Sequence, residues 1–174
     1  DIGPMAKPVA LDVADRAALR AAVDGVAATH GRLDIMVANA GVTAGASYLT
    51  EAGQLSGVDD AQWDRVLQVN LTSVFASIRA AAHMEPARRG RILTIASISG
   101  MKSEVMVGYA YAATKAAVIN LTRQAAMELA PFGVTVNAIA PGPHRTNIAG
   151  GRIRQPEIAA QFEALVPMGR IAEA

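Results

Sequence analysis

Residues 15–39, "DRAALRAAVDGVAATHGRLDIMVAN", decide the fold because they predict one helix followed directly by one buried strand. Apolar side chains recur at helical spacing in the first part of this stretch, at Leu19, Ala22, Val23, Val26 and Ala27. Asp15 is a suitable N-cap for this helix, and Gly31 is a suitable stop. Residues 33–39 are then nearly all apolar, as expected of a strand that is covered on both faces.

The rest of the chain continues this alternation in both directions. The short apolar run "KPVALDV" at 7–13 predicts a strand before the helix, which completes a β-α-β unit. Downstream, the same patterns predict helix 60–84, which Pro86 and Gly90 end, strand 91–97, helix 109–130 and strand 133–140. Alternating strands and helices predict right-handed crossovers, and therefore a doubly wound parallel α/β sheet with helices on both faces. We expect residues 1–174 to form a single domain.

The composition argues against several classes of protein. Of the 174 residues, 52% are hydrophobic and 18% are charged, which fits a globular chain with a buried α/β core. The net charge is only +1 and the longest basic run is "ARRGR" at 87–91, so we expect a small-molecule partner and neither nucleic acid nor a membrane. The chain has no cysteine, and His30, His83 and His144 lack metal-ligand spacing, so we expect no metal. It also has no apolar run of roughly 20 residues and no signal pattern, so we expect a cytoplasmic location.

The residues that follow each predicted strand are the first candidates for chemistry, since ligands of such sheets bind beyond the carboxyl ends of the strands. These residues are Asp12 and Val13, then "NAG" at 39–41, "SIS" at 97–99 and "PGPHRT" at 141–146. Gly41 lets the backbone approach a flat ligand closely, although Asn-Gly-type turns are also common without a ligand. Thr146 stands on a loop made rigid by two prolines, where it can hold a carboxamide or phosphate or simply follow an ordinary strand exit.

The stretch "YAYAATK" at 109–115 places a phenol and an amine four residues apart. Tyr111 and Lys115 therefore project from the same face of the predicted helix. An ammonium about 4 Å from the phenol, at an effective dielectric near 20, favours the phenolate by about 4 kcal/mol. That energy would bring the pKa of Tyr111 to roughly 7, where it can exchange a proton. The alternative is an unrelated surface pair; Tyr109 is a weaker candidate because Ala113 follows it at the same spacing.

Two further groups have both a catalytic and a structural interpretation. Ser97 follows a predicted strand, where its hydroxyl could donate to a substrate carbonyl oxygen, and Ser99 could serve instead. Both serines could equally satisfy backbone groups in a turn. Asn70 lies within an apolar helical face, where its amide needs partners; these are either a neighbouring element or an ordered water beside Lys115.

Taken together and in this order, the segments "NAG", "VNL", "IASISG", "YAATK" and "NAIAPGPHRT" resemble the short-chain dehydrogenase/reductase family, over nearly all of residues 7–171. The resemblance implies a Rossmann-like fold that binds NAD or NADP, with a slight preference for NAD. It implies that Tyr111 is the acid/base and that Lys115 lowers the pKa of Tyr111 and holds the nicotinamide ribose. It also implies that Ser97 stabilises the carbonyl oxygen and that Asn70 positions a relay water; Ser97 is chosen over Ser99 because Gly100 stands three residues after it.

The resemblance also implies a cofactor-binding surface. Asp12 and Val13 would border the adenine, and Asn39, Ala40 and Gly41 would line the cleft together with Tyr111 and Lys115. Pro141, Gly142, His144 and Thr146 would approach the nicotinamide half, although family members often have an aliphatic residue at the place of His144. The family's glycine-rich phosphate loop and last strand have no counterpart here, so we expect these residues to be part of a longer chain. The alternative is a genuine fragment, in which strand 33–39 would expose an unpaired edge.

The function that follows is an oxidoreductase that transfers hydride between a nicotinamide cofactor and a secondary alcohol or carbonyl compound. The alternative is a catalytically silent nucleotide-sensing or interaction protein on the same fold. Helices 60–84 and 109–130 resemble the family's oligomer interface, which implies a homodimer or homotetramer. Residues 146–167, with a glycine pair and a helical tail, predict a mobile lid over the substrate.

Overall fold

The computed structural model describes residues 5–43, 45–84 and 89–173, in which strands and helices alternate. The helices are α1 (Arg16–His30), α2 (Asp60–Leu67), α3 (Ser73–Ala80), α4 (Tyr109–Leu129) and α5 (Pro156–Glu163). The strands are β1 (Ile35–Ala38), β2 (Gly90–Ile95), β3 (Val134–Ile139), β4 (His144–Arg145) and β5 (Ala172–Glu173). None of the helices in the described ranges is both long and apolar enough to cross a membrane.

A parallel three-stranded sheet in the order β1-β2-β3 organises the molecule. In its register Ile35 lies beside Arg91, and Gly90 lies beside Val134. Strands β4 and β5 form a separate parallel pair. The predicted parallel α/β sheet is thus confirmed, and the carboxyl ends of β1, β2 and β3 lie at one edge.

Helix α1 begins and ends where the sequence predicts. The Asp15 carboxylate accepts hydrogen bonds from the backbone N–H groups of Ala17 and Ala18, which would otherwise lack partners at a helix start. Gly31 ends the helix with φ of 68°, a left-handed conformation that glycine adopts without steric cost.

The predicted helix 60–84 is interrupted at its centre. Helices α2 and α3 are joined by one π-helical segment, Gln68–Thr72, and a 3₁₀ turn, Ala81–Met84, follows α3. Gly90 begins β2, whereas the predicted helix end at Pro86 lies outside the described residues. The π segment contains Asn70, and such segments occur frequently at functional sites.

The main hydrophobic core lies on one face of the sheet. It joins alternate strand residues to one side of α3 and α4, and includes Ala38, Ile92, Val134, Val136, Val74, Ile78, Val118 and Leu129. The side chains between these strand positions point to the opposite face, where Ile35 is 63% exposed and Val37 is 50% exposed. In the described residues, helices therefore cover one face of the sheet. The helices predicted for the second face are absent from these residues.

The predicted strand at 7–13 is wrong, because these residues pair with no strand in the described structure. Pro8 has no backbone N–H to donate to a neighbouring strand. The segment then ends in a turn, in which the Asp12 carbonyl accepts from Asp15 N at 2.9 Å and the Asp12 carboxylate accepts from Ala14 N at 2.9 Å. A β-strand is defined by backbone hydrogen bonds to a neighbouring strand, and the described residues provide no strand that could pair with residues 7–13.

Candidate active site

A cleft of about 750 Å³ lies at the carboxyl ends of β1, β2 and β3. Its volume falls in the range of small-molecule and cofactor sites. The predicted site residues that line it are Asn39, Ala40, Gly41, Ser97, Ser99, Tyr111, Lys115, Pro141, Gly142, His144 and Thr146. Parallel strands deliver these segments to one place because they all end at the same edge.

Gly100 holds the segment after β2 against helix α4. A Cβ atom at this position would lie 2.5 Å from the backbone carbon of Lys115 and 2.7 Å from the backbone nitrogen of Ala116. Because neither backbone atom can move easily, only glycine allows this approach. The close packing brings Ser97, three residues earlier, beside the first turns of α4 that carry Tyr111 and Lys115.

Lys115 is buried in the floor of the cleft, with 4% of its surface exposed. Its Nζ donates to the backbone carbonyl of Ile95 at 2.6 Å and lies 5.6 Å from the centroid of the Tyr111 ring. Burial lowers the pKa of Lys115 to about 8, because the charged form loses hydration. The ammonium is therefore still mostly protonated at pH 7, and one of its three donors is engaged by Ile95.

The pKa of Tyr111 is raised above its ordinary value, so the predicted value near 7 is wrong for the protein alone. Burial is the largest cause, hydrogen bonding with Ser97 offsets part of it, and the negative charge of Glu104 raises the pKa further. Lys115 does not lower it, because the ammonium points to the Ile95 carbonyl and meets the face of the ring. Four-residue spacing fixes the shared helix face but not the direction of a long side chain.

Ser97, Ser99 and Glu104 form a chain of short contacts in the wall of the cleft. The Ser97 hydroxyl donates to the Ser99 hydroxyl at 3.2 Å, and the Ser99 hydroxyl donates to the Glu104 carboxylate at 2.7 Å. Ser99 N also donates to the Ser97 oxygen at 3.2 Å, so the structural role predicted for this turn is present as well. Glu104 was not expected from the sequence, since its loop shows no periodicity.

Asn70 is fully buried and joins two elements. Its Oδ1 accepts from Val42 N at 2.8 Å, and its Nδ2 donates to Val42 O at 2.8 Å and lies 3.5 Å from the Thr114 hydroxyl. The neighbouring element that the sequence left open as one alternative is therefore the segment after β1. A role for Asn70 in holding a water beside Lys115 stays a prediction.

The floor of the cleft leaves space for a polar ligand beside Lys115. A Cβ on Gly41 would lie 3.5 Å from Asn70 Oδ1 and 3.7 Å from Lys115 Nζ, so only a glycine leaves this space open to a ligand. The other two Lys115 donors have no partner among the described residues and can bind hydroxyl groups. Gly142 also lines the cleft, and a Cβ there would lie 3.8 Å from Ile98 Cδ1.

The other predicted cofactor residues divide into two groups. His144 and Thr146 both line the cleft. The Nδ1 atom of His144 lies 2.8 Å from Gly142 O. The hydroxyl of Thr146 accepts a hydrogen bond from Ile148 N at 3.3 Å. Asp12 and Val13 are not among the residues that line it. Arg65 binds the Asp12 carboxylate at 3.2 Å, and the backbone N–H of Ala14 and this guanidinium lower the pKa of Asp12.

The far wall of the cleft is apolar and comes from segments that the sequence did not single out residue by residue. It includes Met106 and Val107 from the loop before α4, and Ile148, Ile153 and Phe162 from the segment predicted as a lid. The lid contains the 3₁₀ segment Ile148–Arg154 and helix α5, and Arg145 binds Glu163 of α5 at 2.7 Å. Mobility of this segment stays a prediction.

A parallel sheet whose strand ends bring a serine, a tyrosine and a buried lysine to one cleft defines a Rossmann-like protein with a candidate acid/base site. Residues 2–174 match a family model described as enoyl-(acyl carrier protein) reductase. The chain is 38% identical over 173 residues to cis-4-hydroxycyclohexanecarboxylate dehydrogenase of Sinomonas cyclohexanicum, covering 99% of this chain and 66% of that protein. The chain belongs to the short-chain dehydrogenase/reductase family.

Solved structures agree with this assignment. A 3-oxoacyl-[acyl-carrier protein] reductase of Brucella melitensis with bound NAD has a TM-score of 0.79 at 37% identity, over 96% of this chain and 59% of that one. The structure of ElxO with bound NADP has a TM-score of 0.82 at 28% identity, over 94% of this chain and 64% of that one. The chain thus spans less than two thirds of the length of each of these relatives.

Proposed function

We propose that the protein is a nicotinamide-dependent oxidoreductase that interconverts a secondary alcohol and a carbonyl compound. The observation that carries this proposal is the presence of Ser97, Tyr111 and Lys115 in one cleft whose floor fits a ribose. Relatives named as dehydrogenases or reductases, and structures with bound NAD or NADP, support it. Either nicotinamide cofactor fits this proposal, and we keep a slight preference for NAD.

Tyr111 is the proposed acid/base. In oxidation, its phenolate accepts the proton of the substrate hydroxyl, and the resulting phenol returns that proton to the carbonyl oxygen in reduction. The nicotinamide cofactor, when bound, supplies or accepts the hydride. The raised pKa of Tyr111 in the protein alone makes the phenol the resting form, which suits proton donation during carbonyl reduction at neutral pH.

Lys115, Ser97 and Asn70 have supporting roles in this proposal. Lys115 offers its two remaining donors to the ribose hydroxyls while the Ile95 carbonyl fixes the position of its ammonium. Ser97 lies beside Tyr111, where its oxygen can accept a hydrogen bond from the substrate hydroxyl, and where its proton can stabilise the substrate oxygen once it turns away from Ser99. Asn70 holds the Val42 segment in place, and we propose that its amide also orders a water next to Lys115.

The test is hydride transfer by the 174-residue chain, followed as the change in NADH or NADPH absorbance with a panel of secondary alcohols and ketones. Tyr111→Phe should lower kcat by about 100-fold or more, as expected for loss of a general acid/base. Tyr109→Phe is the matched control, because Tyr109 is 38% exposed and does not line the cleft, and it should keep full activity. Nicotinamide binding without turnover of any substrate would favour the silent nucleotide-sensing protein instead.

We further propose a cytoplasmic homodimer or homotetramer. Its support is the apolar surface left on the helices, where Phe75 of α3 is 45% exposed and Met127 of α4 is 74% exposed. Sedimentation of the purified chain tests the assembly.

A further inference from the structure

The loop before α4 brings a carboxylate into the wall of the cleft. Glu104 lines the cleft, and its side chain is 21% exposed, much less than that of Lys102 at 66%. Ser47 helps to fix this loop, since its hydroxyl donates to the backbone carbonyl of Val105, the residue after Glu104. The loop therefore holds Glu104 where it can act on the proposed catalytic groups.

Counting donors fixes the direction of the hydrogen bonds that start at Glu104. An ionised carboxylate only accepts, so the single Ser99 proton goes to Glu104 at 2.7 Å. Ser99 can then only accept from Ser97, whose own single proton is used at 3.2 Å. One Ser97 lone pair accepts from Ser99 N at 3.2 Å, so Ser97 presents one lone pair, and no proton, to the neighbouring Tyr111 hydroxyl.

The direction of these hydrogen bonds affects which protonation state of Tyr111 is favoured. A phenol can donate to the Ser97 oxygen, whereas a phenolate needs a donor that Ser97 cannot supply while its proton is held by Ser99. We propose that Glu104 is a positioning residue, which acts through Ser99 to turn the Ser97 hydroxyl away from Tyr111 and so favours the phenol. The inference rests on the proposed function for its catalytic meaning, although the hydrogen-bond chain can be tested without turnover.

The charge of Glu104 raises the pKa of Tyr111, which is the direction that the geometry predicts. A Ser97 proton donated to Tyr111 lowers that pKa, so a proton held at Ser99 withdraws this lowering. The other titratable or charged groups that line the cleft in the described residues are Lys115, His144 and Arg152, and Lys102 Nζ lies 3.7 Å from Glu104 Oε1. Among these groups only Glu104 is joined to Tyr111 through hydroxyl groups.

The experiment measures the pKa of each tyrosine by NMR of protein labelled at the tyrosine Cζ carbon, with Tyr111→Phe assigning the Tyr111 signal. Glu104→Gln removes the charge and allows its amide to donate to Ser99, which frees the Ser99 and Ser97 protons for Tyr111. Ser99→Ala keeps the Glu104 charge but breaks the chain. Both variants should lower the pKa of Tyr111, and the double variant should lower it by less than the sum of the two shifts.

The control is Glu128→Gln, which removes an exposed carboxylate on the same helix, 17 residues and roughly 25 Å from Tyr111, and should leave the Tyr111 pKa unchanged. A fall in Glu104→Gln alone would overturn the hydrogen-bond chain and leave only a direct charge effect. No fall in either variant would overturn the whole inference. If the chain is active, the midpoint of its pH profile for alcohol oxidation should move to lower pH with the Tyr111 pKa in both variants. Failure of the proposed function would show instead as absent turnover with the NMR shifts intact.

Discussion

A lysine that is almost fully buried beside a phenol determines much of the chemistry at the scale of single residues. The sequence places Lys115 on the same helix face as Tyr111, which the structure confirms. It could not show that the ammonium is drawn to the Ile95 carbonyl at 2.6 Å, since that contact depends on packing between α4 and β2. For this reason the residue types at the cleft were predictable from the sequence, whereas the direction in which the pKa of Tyr111 is shifted was not.

Burial of Lys115 predicts a pH-dependent stability. Its folded pKa of about 8 lies below its ordinary value of 10.5, so the unfolded chain binds more protons between these values and stability should rise with pH through that window. Relative to Lys115→Met, the free energy of unfolding of the native chain should increase by on the order of 2 kcal/mol from pH 7 to pH 10. Denaturant titrations at both pH values measure this difference.

The control for this prediction is Lys102→Met, which replaces an exposed lysine in the neighbouring loop. Its free energy of unfolding should follow that of the native chain at both pH values. Equal pH dependence of the native chain and Lys115→Met would contradict the prediction.

At the scale of elements, the contact between the segment after β2 and α4 rests on one glycine. Gly100→Ala would place a methyl group 2.5 Å from the Lys115 backbone carbon, so one of the two segments must shift. We expect a loss of about 1–3 kcal/mol in the free energy of unfolding, typical of overpacking, and a lower kcat because Ser97 moves relative to Tyr111. Thermal or denaturant unfolding and steady-state kinetics measure the two effects.

Gly25→Ala on α1 is the matched control for that substitution. A Cβ at Gly25 meets no atom within 4 Å, and alanine is favoured over glycine inside a helix, so this variant should be stabilised by about 0.5–1 kcal/mol. A Gly100→Ala variant as stable as the native chain would show that the two segments are not held as closely as described.

The N-cap of α1 gives a second prediction at this scale. Asp15→Ala removes the acceptor for the N–H groups of Ala17 and Ala18 and should lower the free energy of unfolding by about 1 kcal/mol. Asp15→Asn keeps an acceptor oxygen and should retain most of that stability. Equal losses in the two variants, measured by denaturant titration, would argue against capping.

The elements also show where sequence patterns fail. The ends of α1 follow from its cap residues, and the limits of the region 60–84 follow from its apolar stripe. The π segment was not visible, because the apolar stripe of region 60–84 continues through it, and the Asn70 contact with Val42 joins segments 28 residues apart. Residues 7–13 were predicted as a strand from apolar character alone, although strand formation depends equally on a neighbour. Glu104 was missed because only the path of its loop brings it to Ser99.

At the scale of the whole molecule, the open face of the sheet stands out. The register aligns Val37 with Leu93 and Asn137, and Ile35 with Arg91 and Thr135. Ile35 and Val37 leave apolar surface exposed on this face, which indicates an interaction surface or an aggregation hazard.

We predict that Val37→Lys decreases self-association of the 174-residue chain without unfolding it. The substituted side chain lies on the open face, so a charge there disfavours contact between copies at little cost to the core. Thr135→Lys is the control, since it adds the same charge to the same face without removing apolar surface. Sedimentation over a concentration series should show the larger decrease for Val37→Lys, and equal decreases would point to net charge alone.

The double hydrogen bond between Asn70 and Val42 has a mechanical consequence. Because both its N–H and its carbonyl bond to a single amide, Val42 is anchored to the π segment between α2 and α3. The adjacent Gly41 lines the cleft, so the placement of this part of the wall depends on how the helical layer holds Asn70.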